Sequence, residues 1–487
     1  MVAVEGVAGG GAAGWRLDQE QDAAAEPTPG GRDVLIGGPG TGKTVVALHR
    51  IHRTWRACGV GRLLLTTGTP AAVGRLADGL VRLGGREILD RVDVLDVDVV
   101  ARQTCVGITG RTVRTEPDEA ARWAQVLQRA VELDDADRRR YTPEFLAAEY
   151  RLVIVGRDLR RREDYLACSR SDRGVALDGP ERTRVWGLVT AFEDLLARRG
   201  TTSRDRTAAR AAEFAEAARD PGAPRIGGYR HVVGDAAHEF SPTQLRLLRA
   251  LVVGDTGSLL LCGDDRQRVH AQGDVLSAVA ASWRRLRLGT DHRSSRAIVD
   301  FATSVLDPDE ESPGAGGAGS TVDAGPEPIT WAFDSTTEER DAVVRVLRRW
   351  RTEVSVDEPP CAVLTPSARL RDHLDRRLRA ARVGTVLLGS EEDIEENRAV
   401  RVGELASAAG REFSRVAVSG VGAESVPPAG LADRVDPGDR PEMLRRWRAL
   451  LYVACTRARD RLLLTWTGEP SPFLPRLPAR RKAPGAE

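Results

Sequence analysis

The chain has 487 residues, 41% hydrophobic and 29% charged, enough for two to four domains with several buried cores. Lys plus Arg is 72 and Asp plus Glu is 71, a net charge of +1, which excludes a wholly basic nucleic-acid coat but not a local basic groove. No apolar run is long enough to span a bilayer, and the opening residues carry no signal-peptide pattern. The six cysteines (58, 105, 168, 262, 361, 455) show no C-x-x-C spacing, which argues against a zinc site or a disulfide framework. The expectation is a cytoplasmic protein with no membrane partner.

Lys43 and Lys482 are the two lysines of the chain, and Asn397 is its single asparagine. Such a skew fits a GC-rich coding sequence. A lysine kept against that bias is held by chemistry, whereas a missing Lys or Asn can be drift.

In chain order, residues 1–14 are Gly/Ala-rich and read as a disordered tail. A short helix follows Trp15. Arg32–Ile36 reads as a strand, Gly37–Thr44 as a Gly-rich turn and Val45–Trp55 as a helix. Arg62–Thr66 and Val92–Val100 are further strands, and this rhythm predicts a parallel α/β sheet. Residues 101–224 have helical spacing, as in Asp118–Leu133 and Arg204–Ala218, and read as a helical insertion. Strands return at His231–Gly234 and Ser258–Cys262, around a helix begun by Ser241. The acidic, Gly/Pro-rich stretch 307–328 reads as a linker. A second α/β unit over 329–470 is expected from strands at Thr330–Phe333, Ala362–Leu364, Val383–Leu388, Val416–Ser419 and Leu462–Trp466. Ser335 with Glu338 forms a capping-box pattern for its first helix, an Arg-rich helix lies between the second and third strands, and residues 471–487 read as a tail.

Gly37-Gly38-Pro39-Gly40-Thr41-Gly42-Lys43-Thr44 matches G-x-x-x-x-G-K-[ST], with a strand before it and a helix after it. The glycines let the backbone curl so that its N–H groups face phosphate oxygens, and the helix start adds partial positive charge. Lys43 is placed for the β- and γ-phosphates and Thr44 for Mg²⁺. The loop establishes nucleotide binding and little more.

Other segments fall in a telling order: Leu17-Asp-Gln-Glu-Gln21, His231-Val-Val-Gly-Asp235, Cys262-Gly-Asp264-Asp-Arg-Gln267-Arg-Val-His270, Asp291-His292-Arg293, Ala409-Gly410-Arg-Glu412-Phe413 and Tyr452-Val-Ala-Cys-Thr456-Arg457. Together they resemble superfamily 1 helicases of the UvrD/Rep/PcrA type over roughly residues 15–470. The resemblance implies two RecA-like domains with ATP in the cleft between them, the first formed by 15–100 and 225–306. It implies that Gln21 reads adenine, Asp235 holds Mg²⁺ with Thr44, Gln267 senses the γ-phosphate, Arg293 and Arg457 are arginine fingers, and Glu412 lies near the ribose. Arg suits such a place because its forked donors stay charged. The implied activity is an ATP-dependent DNA translocase or helicase on single-stranded or partly duplex DNA, 3′ to 5′ by analogy.

The chain departs from the family pattern at several points. Ala236 stands where a glutamate would polarise the attacking water, with His238 and Glu239 as candidate substitutes. His292 and His270 replace aromatics, Ala409 replaces a lysine, Glu404 aligns with a threonine, and Thr66–Pro70 lacks the usual aromatic. Room between Arg293 and Gly410 is too short for the large second insertion of the long helicases. A second expectation therefore stands beside the first: a protein that binds ATP without efficient turnover, acting as a nucleotide-gated module on DNA or on a protein partner such as RNA polymerase or a repair complex.

Overall fold

The computed structural model describes residues 16–59, 61–68, 70–131, 133–170, 177–218, 228–267, 276, 282–306, 319–320, 324–355, 358–390, 398–430 and 440–475. The tail 1–14, His270, Lys482 and most of the expected linker lie outside the described residues.

Two six-stranded, all-parallel sheets form the frame, as the composition of the strands predicts for an α/β chain. The first contains β1 (Arg32–Gly37), β2 (Leu63–Thr67), β3 (Val92–Asp96), β4 (His231–Asp235), β5 (Ser258–Gly263) and β6 (Arg284–Leu288), in the order β3-β2-β4-β5-β1-β6. The second contains β7 (Ile329–Phe333), β8 (Ala362–Thr365), β9 (Thr385–Leu387), β10 (Val400–Glu404), β11 (Phe413–Ser419) and β12 (Ala458–Thr467), in the order β9-β10-β8-β11-β12-β7.

The central strands are apolar runs because both faces of each sheet are covered. Successive side chains go to opposite cores. Val34, Leu64, Val232 and Leu261 enter one core of the first sheet, and Leu35, Leu63, Leu65 and Leu260 enter the other. In the second sheet Leu364, Val416 and Leu464 face one way, and Val363, Ala417 and Leu463 the other. Truncating one of these leucines to alanine costs about 2–5 kcal/mol.

Between β3 and β4 the described elements are helical, from Val97–Thr109 to Arg204–Ala217. They carry their own core, in which Trp123 stacks on Phe192 with ring centroids 3.7 Å apart.

Several elements differ from expectation for identifiable reasons. β3 ends at Asp96 rather than at Val100, because the Asp96 carboxylate accepts the amides of Asp98 and Val99 and starts a helix at Val97. β6 escaped the apolar pattern because three of its five residues are arginines on a largely exposed edge strand. β10, with Arg401 between two valines, escaped it as well. The helix Arg296–Ser304, grouped by sequence with the first domain, buries Ile298 and Ala302 in the second sheet's core. Phe473, grouped with the tail, is buried there too, under Arg448 at 4.6 Å from its ring.

Candidate functional site

Parallel strands bring their carboxyl ends to one edge, where α/β proteins place ligand sites. At that edge of the first sheet β1 runs into the Gly-rich loop, β4 ends at Asp235, β5 leads to Asp264, and β6 leads to Asp291-His292-Arg293. The second sheet meets it with its amino ends. Glu412 immediately precedes β11, and Arg457 precedes β12.

The loop is shaped by its glycines and by what presses on them. Gly40 and Gly42 have φ of 73° and 83°, the region that favours glycine. A Cβ on Gly40 would collide with the Asp291 carboxylate, and one on Gly42 with the Gln21 amide. Thr41 Oγ1 donates to Gly38 O at 2.9 Å inside the turn. Helix α2, Lys43–Ala57, starts directly from the loop without a side-chain cap. Its first amides are therefore left for an anion.

Lys43 Nζ donates to the carbonyls of Gly37 and Gly38, both at 2.7 Å. Burial lowers its pKa to about 8; Asp264 and Asp235 pull the other way, and the charges of Arg293 and Arg266 add to the lowering. Thr44 Oγ1 donates to Asp235 Oδ2 at 2.9 Å. This hydroxyl and carboxylate are hard oxygen donors that suit Mg²⁺. Among the described residues no group of three or more His, Cys, Asp or Glu side chains could hold a metal. An ion here would therefore complete its shell with phosphate oxygens and water, as Mg²⁺ ordinarily does.

Gln21 lies on α1, Gln19–Ala25, and closes a capping box with Asp18. Its Oε1 accepts the Asp18 amide at 3.1 Å, and its Nε2 donates to Thr41 O at 3.1 Å, so its amide braces the loop. Asp18 also meets His292 Nε2 at 2.7 Å, and the His292 amide donates to Gly40 O at 3.0 Å. His292 thus links the N-terminal helix to the loop. Sequence reasoning saw it only as a lost aromatic.

Gln267 joins the two units. Its Nε2 donates to Asp264 Oδ2 at 2.9 Å, and its Oε1 accepts from Arg457 Nη2 at 3.0 Å. Arg457 is buried and also donates to Val453 O and Arg411 O, at 3.1 and 3.2 Å. Burial and the neighbouring Arg293 charge both work against its proton. A guanidinium keeps that proton in proteins, so the cost is expressed as a demand for an anion. Arg293 Nη2 donates to Thr456 O at 2.5 Å, and its Nε lies 4.0 Å from Glu412 Oε1. The structure therefore gathers Lys43, Thr44, Asp235, Gln267, Arg293 and Arg457 around the loop edge. Glu412 is at the rim and half-exposed.

A family model described as an AAA domain matches residues 20–272, just over half of the chain. The chain belongs to that family. No curated protein matches it. The crystal structure of the C-terminal domain of a possible DNA helicase from Lactobacillus plantarum is 23% identical, over 39% of this chain and 96% of that one, with a TM-score of 0.28. A score of that size carries no argument, and the architecture rests on the two sheets themselves.

The AAA domain match takes in Gln21, the loop, Asp235 and Gln267, but ends before Arg293, Glu412 and Arg457. Within the AAA domain, Ala236 has φ 54° and ψ 39°, a left-handed conformation that costs a non-glycine residue about 1–2 kcal/mol. Its methyl group offers no base. His238 Nδ1 accepts the Asp264 amide at 3.2 Å, and burial lowers its pKa. Its other nitrogen then carries the ring hydrogen of the neutral form. The Glu239 Cβ lies beside Gly68, beyond the end of β2. His238 lies close enough to Lys43, Asp235 and Asp264 to feel their charges. Two residues at the loop passed unnoticed in the sequence: Asp291, whose motif Asp-His-Arg was read for its histidine and its arginine, and Arg266, inside Gly-Asp-Asp-Arg-Gln.

Proposed function

We propose that the protein is an ATP-dependent DNA translocase or helicase of the UvrD/Rep type of superfamily 1. It couples ATP binding and hydrolysis to movement on single-stranded DNA, with hydrolysis slowed by Ala236. The observation that carries this reading is the Arg457–Gln267 contact at 3.0 Å. It puts a buried guanidinium from the second sheet among the phosphate-facing groups of the first. Phosphoryl transfer needs positioning and charge neutralisation more than covalent chemistry. A cleft whose two walls both contribute cations closes on a triphosphate and relaxes when the terminal phosphate leaves, and that movement can be harnessed.

In this reading Lys43 and the loop amides hold the phosphates, while Thr44 and Asp235 hold Mg²⁺. Gln267, Arg293 and Arg457 address the terminal phosphate, Gln21 the base edge and Glu412 the ribose. The domain division is a first RecA-like unit from 15–100 and 225–306, a helical insertion over 101–224, a linker over 307–328 and a second unit over 329–470, with the helix Arg296–Ser304 packed on the second unit's core.

Ala236 favours a second reading, a nucleotide-gated module on DNA or a protein partner that binds ATP without turning it over. Steady-state ATPase with and without single-stranded DNA separates the two. DNA-stimulated turnover abolished by Lys43→Ala supports the translocase. ATP binding without turnover supports the module, and a parent protein that binds no ATP removes both.

A further inference from the structure

Arg266 sits in the short turn Asp265–Gln267 that follows β5. The motif Gly-Asp-x-x-Gln leaves this position open, and nothing in the functional reading above uses it. Its side chain is only 19% exposed. Asp264 fixes it at the near end: one carboxylate oxygen accepts both the Arg266 amide, at 3.2 Å, and its Nε, at 3.0 Å. Held by Nε, the guanidinium turns its fork toward the Gly-rich loop. Nη2 lies 3.1 Å from where a Cβ on Gly38 would stand. Gly38 is also one of the two residues whose carbonyls hold Lys43 Nζ. The same guanidinium lies 5.9 Å from the ring centroid of Tyr452, a buried residue of the helix Arg440–Thr456 that ends next to Arg457.

We infer that Arg266 is a further binding residue for the terminal phosphate, a third guanidinium beside Arg293 and Arg457, and that its contact with Tyr452 carries the loaded state of the loop to the second unit. The inference rests on the nucleotide reading of the site. Three features support it. Lys43, Arg266, Arg293 and Arg457 crowd one edge, and the charges of Arg266 and Arg293 both act against the Lys43 proton. A polyanion relieves that repulsion, and the group farthest from the loop's own amides is the one that needs extra cations. The geometry is also directional. Asp264 accepts at Nε, and Nη2 of this planar five-donor group lies beside Gly38 of the loop. Finally, among the described residues Arg266 is the cation of the first unit that lies over an aromatic ring of the second, 5.9 Å from the Tyr452 centroid.

The test compares affinities for ADP and for a non-hydrolysable ATP analogue, both with Mg²⁺, by titration of the full chain. Losing a charged hydrogen bond to the terminal phosphate weakens binding about 10- to 100-fold. Arg266→Gln should therefore weaken the triphosphate analogue about tenfold or more and leave ADP within about twofold. Unchanged ADP binding also shows that the loop still folds. Arg266→Lys, which keeps the charge and loses the fork, should recover part of the preference. An equal loss for both nucleotides would overturn the inference, since Arg266 would then act only on loop shape. No change in Arg266→Gln while Lys43→Ala loses both nucleotides would overturn it and leave the nucleotide reading standing. A parent protein that binds neither nucleotide would overturn both.

Discussion

The two working edges of the molecule are built very differently. At the phosphate edge Asp235, Asp264 and Arg457 are buried, and Asp264, Gln267 and Arg457 form an interlocked chain of hydrogen bonds. At the carboxyl end of β10, where the family resemblance puts a threonine on the DNA side, Glu404 pairs with Arg371 at 2.9 Å, and both are only partly buried. Nearby, Ala409 carries no charge, and the Gly410 carbonyl takes Arg75 Nη2 at 2.8 Å. Buried charges must be partnered or the fold loses several kcal/mol, whereas an exposed pair contributes about 0–1 kcal/mol. The phosphate edge is therefore constrained by its own burial. The other face is free to change its partner without cost to the fold, so retention of the first says little about the second.

The sharpest way to break this contrast is at Arg457. An arginine finger contributes about 10³–10⁵ in turnover, so Arg457→Ala should lower DNA-stimulated hydrolysis by about 10³ while the affinity for ADP changes far less. A parallel thermal melt guards against a merely structural loss, because the side chain also braces Val453 and Arg411. If turnover persists, the cation from the second sheet is a strut and the cleft is not a composite site.

The next largest effect is a gain. General-base help is worth about 10²–10⁴ in rate, and the methyl group of Ala236 supplies none. Ala236→Glu should raise single-turnover hydrolysis by about 10²-fold without tightening ATP binding. A flat response would mean that the water is positioned by something other than residue 236, and would favour the nucleotide-gated module.

How much of this could be read beforehand follows from what each signal depends on. The loop, β1 and β4 were legible because glycines with positive φ and buried apolar runs leave a local imprint. The helical insertion was legible from its 3.6-residue periodicity. β6 was not, because an edge strand of arginines is held by Arg284 on the buried Asp33, at 2.8 Å, across a gap of 251 residues. The packing of Arg296–Ser304 on the second core was hidden for the same reason: amphipathicity says that a face is buried, not against what. At the site, the motifs marked which side chains converge. The bracing by Gln21, the His292–Asp18 pair and the reach of Arg266 depend on distances between elements that no spacing encodes.

A smaller effect comes from pH. The Lys43 pKa of about 8 lies below its ordinary 10.5. A bound polyanion favours the charged form, so above pH about 8 binding must take up a proton. Affinity should then fall about tenfold per pH unit between roughly 8 and 10 and be flat below 8. Stability of the protein by itself has the opposite sign. The unfolded chain keeps the proton up to about 10.5 and the folded one releases it above about 8, so this group adds stability as pH rises through that window. Lys43→Arg should flatten the binding slope, since a guanidinium does not titrate there. A slope that survives in Lys43→Arg would assign the proton to another group.

The smallest effect concerns the far face. Glu404→Thr removes an anion beside the expected path of a nucleic-acid strand and frees Nη1 of Arg371, whose Nε and Nη2 stay on Asp372. Affinity for single-stranded DNA should rise several-fold, and its salt dependence should steepen by about one counterion, because a phosphate then replaces the carboxylate on Arg371. Nucleotide affinity should not move, since residue 404 touches none of the phosphate-facing groups. If Glu404→Thr leaves DNA binding unchanged while Ala236→Glu accelerates hydrolysis, the two edges are independent and the strand does not cross the second sheet at β10. Should DNA binding weaken instead, the Arg371–Glu404 pair would itself be part of the recognition surface, and that face would select for a partner other than a bare phosphate backbone.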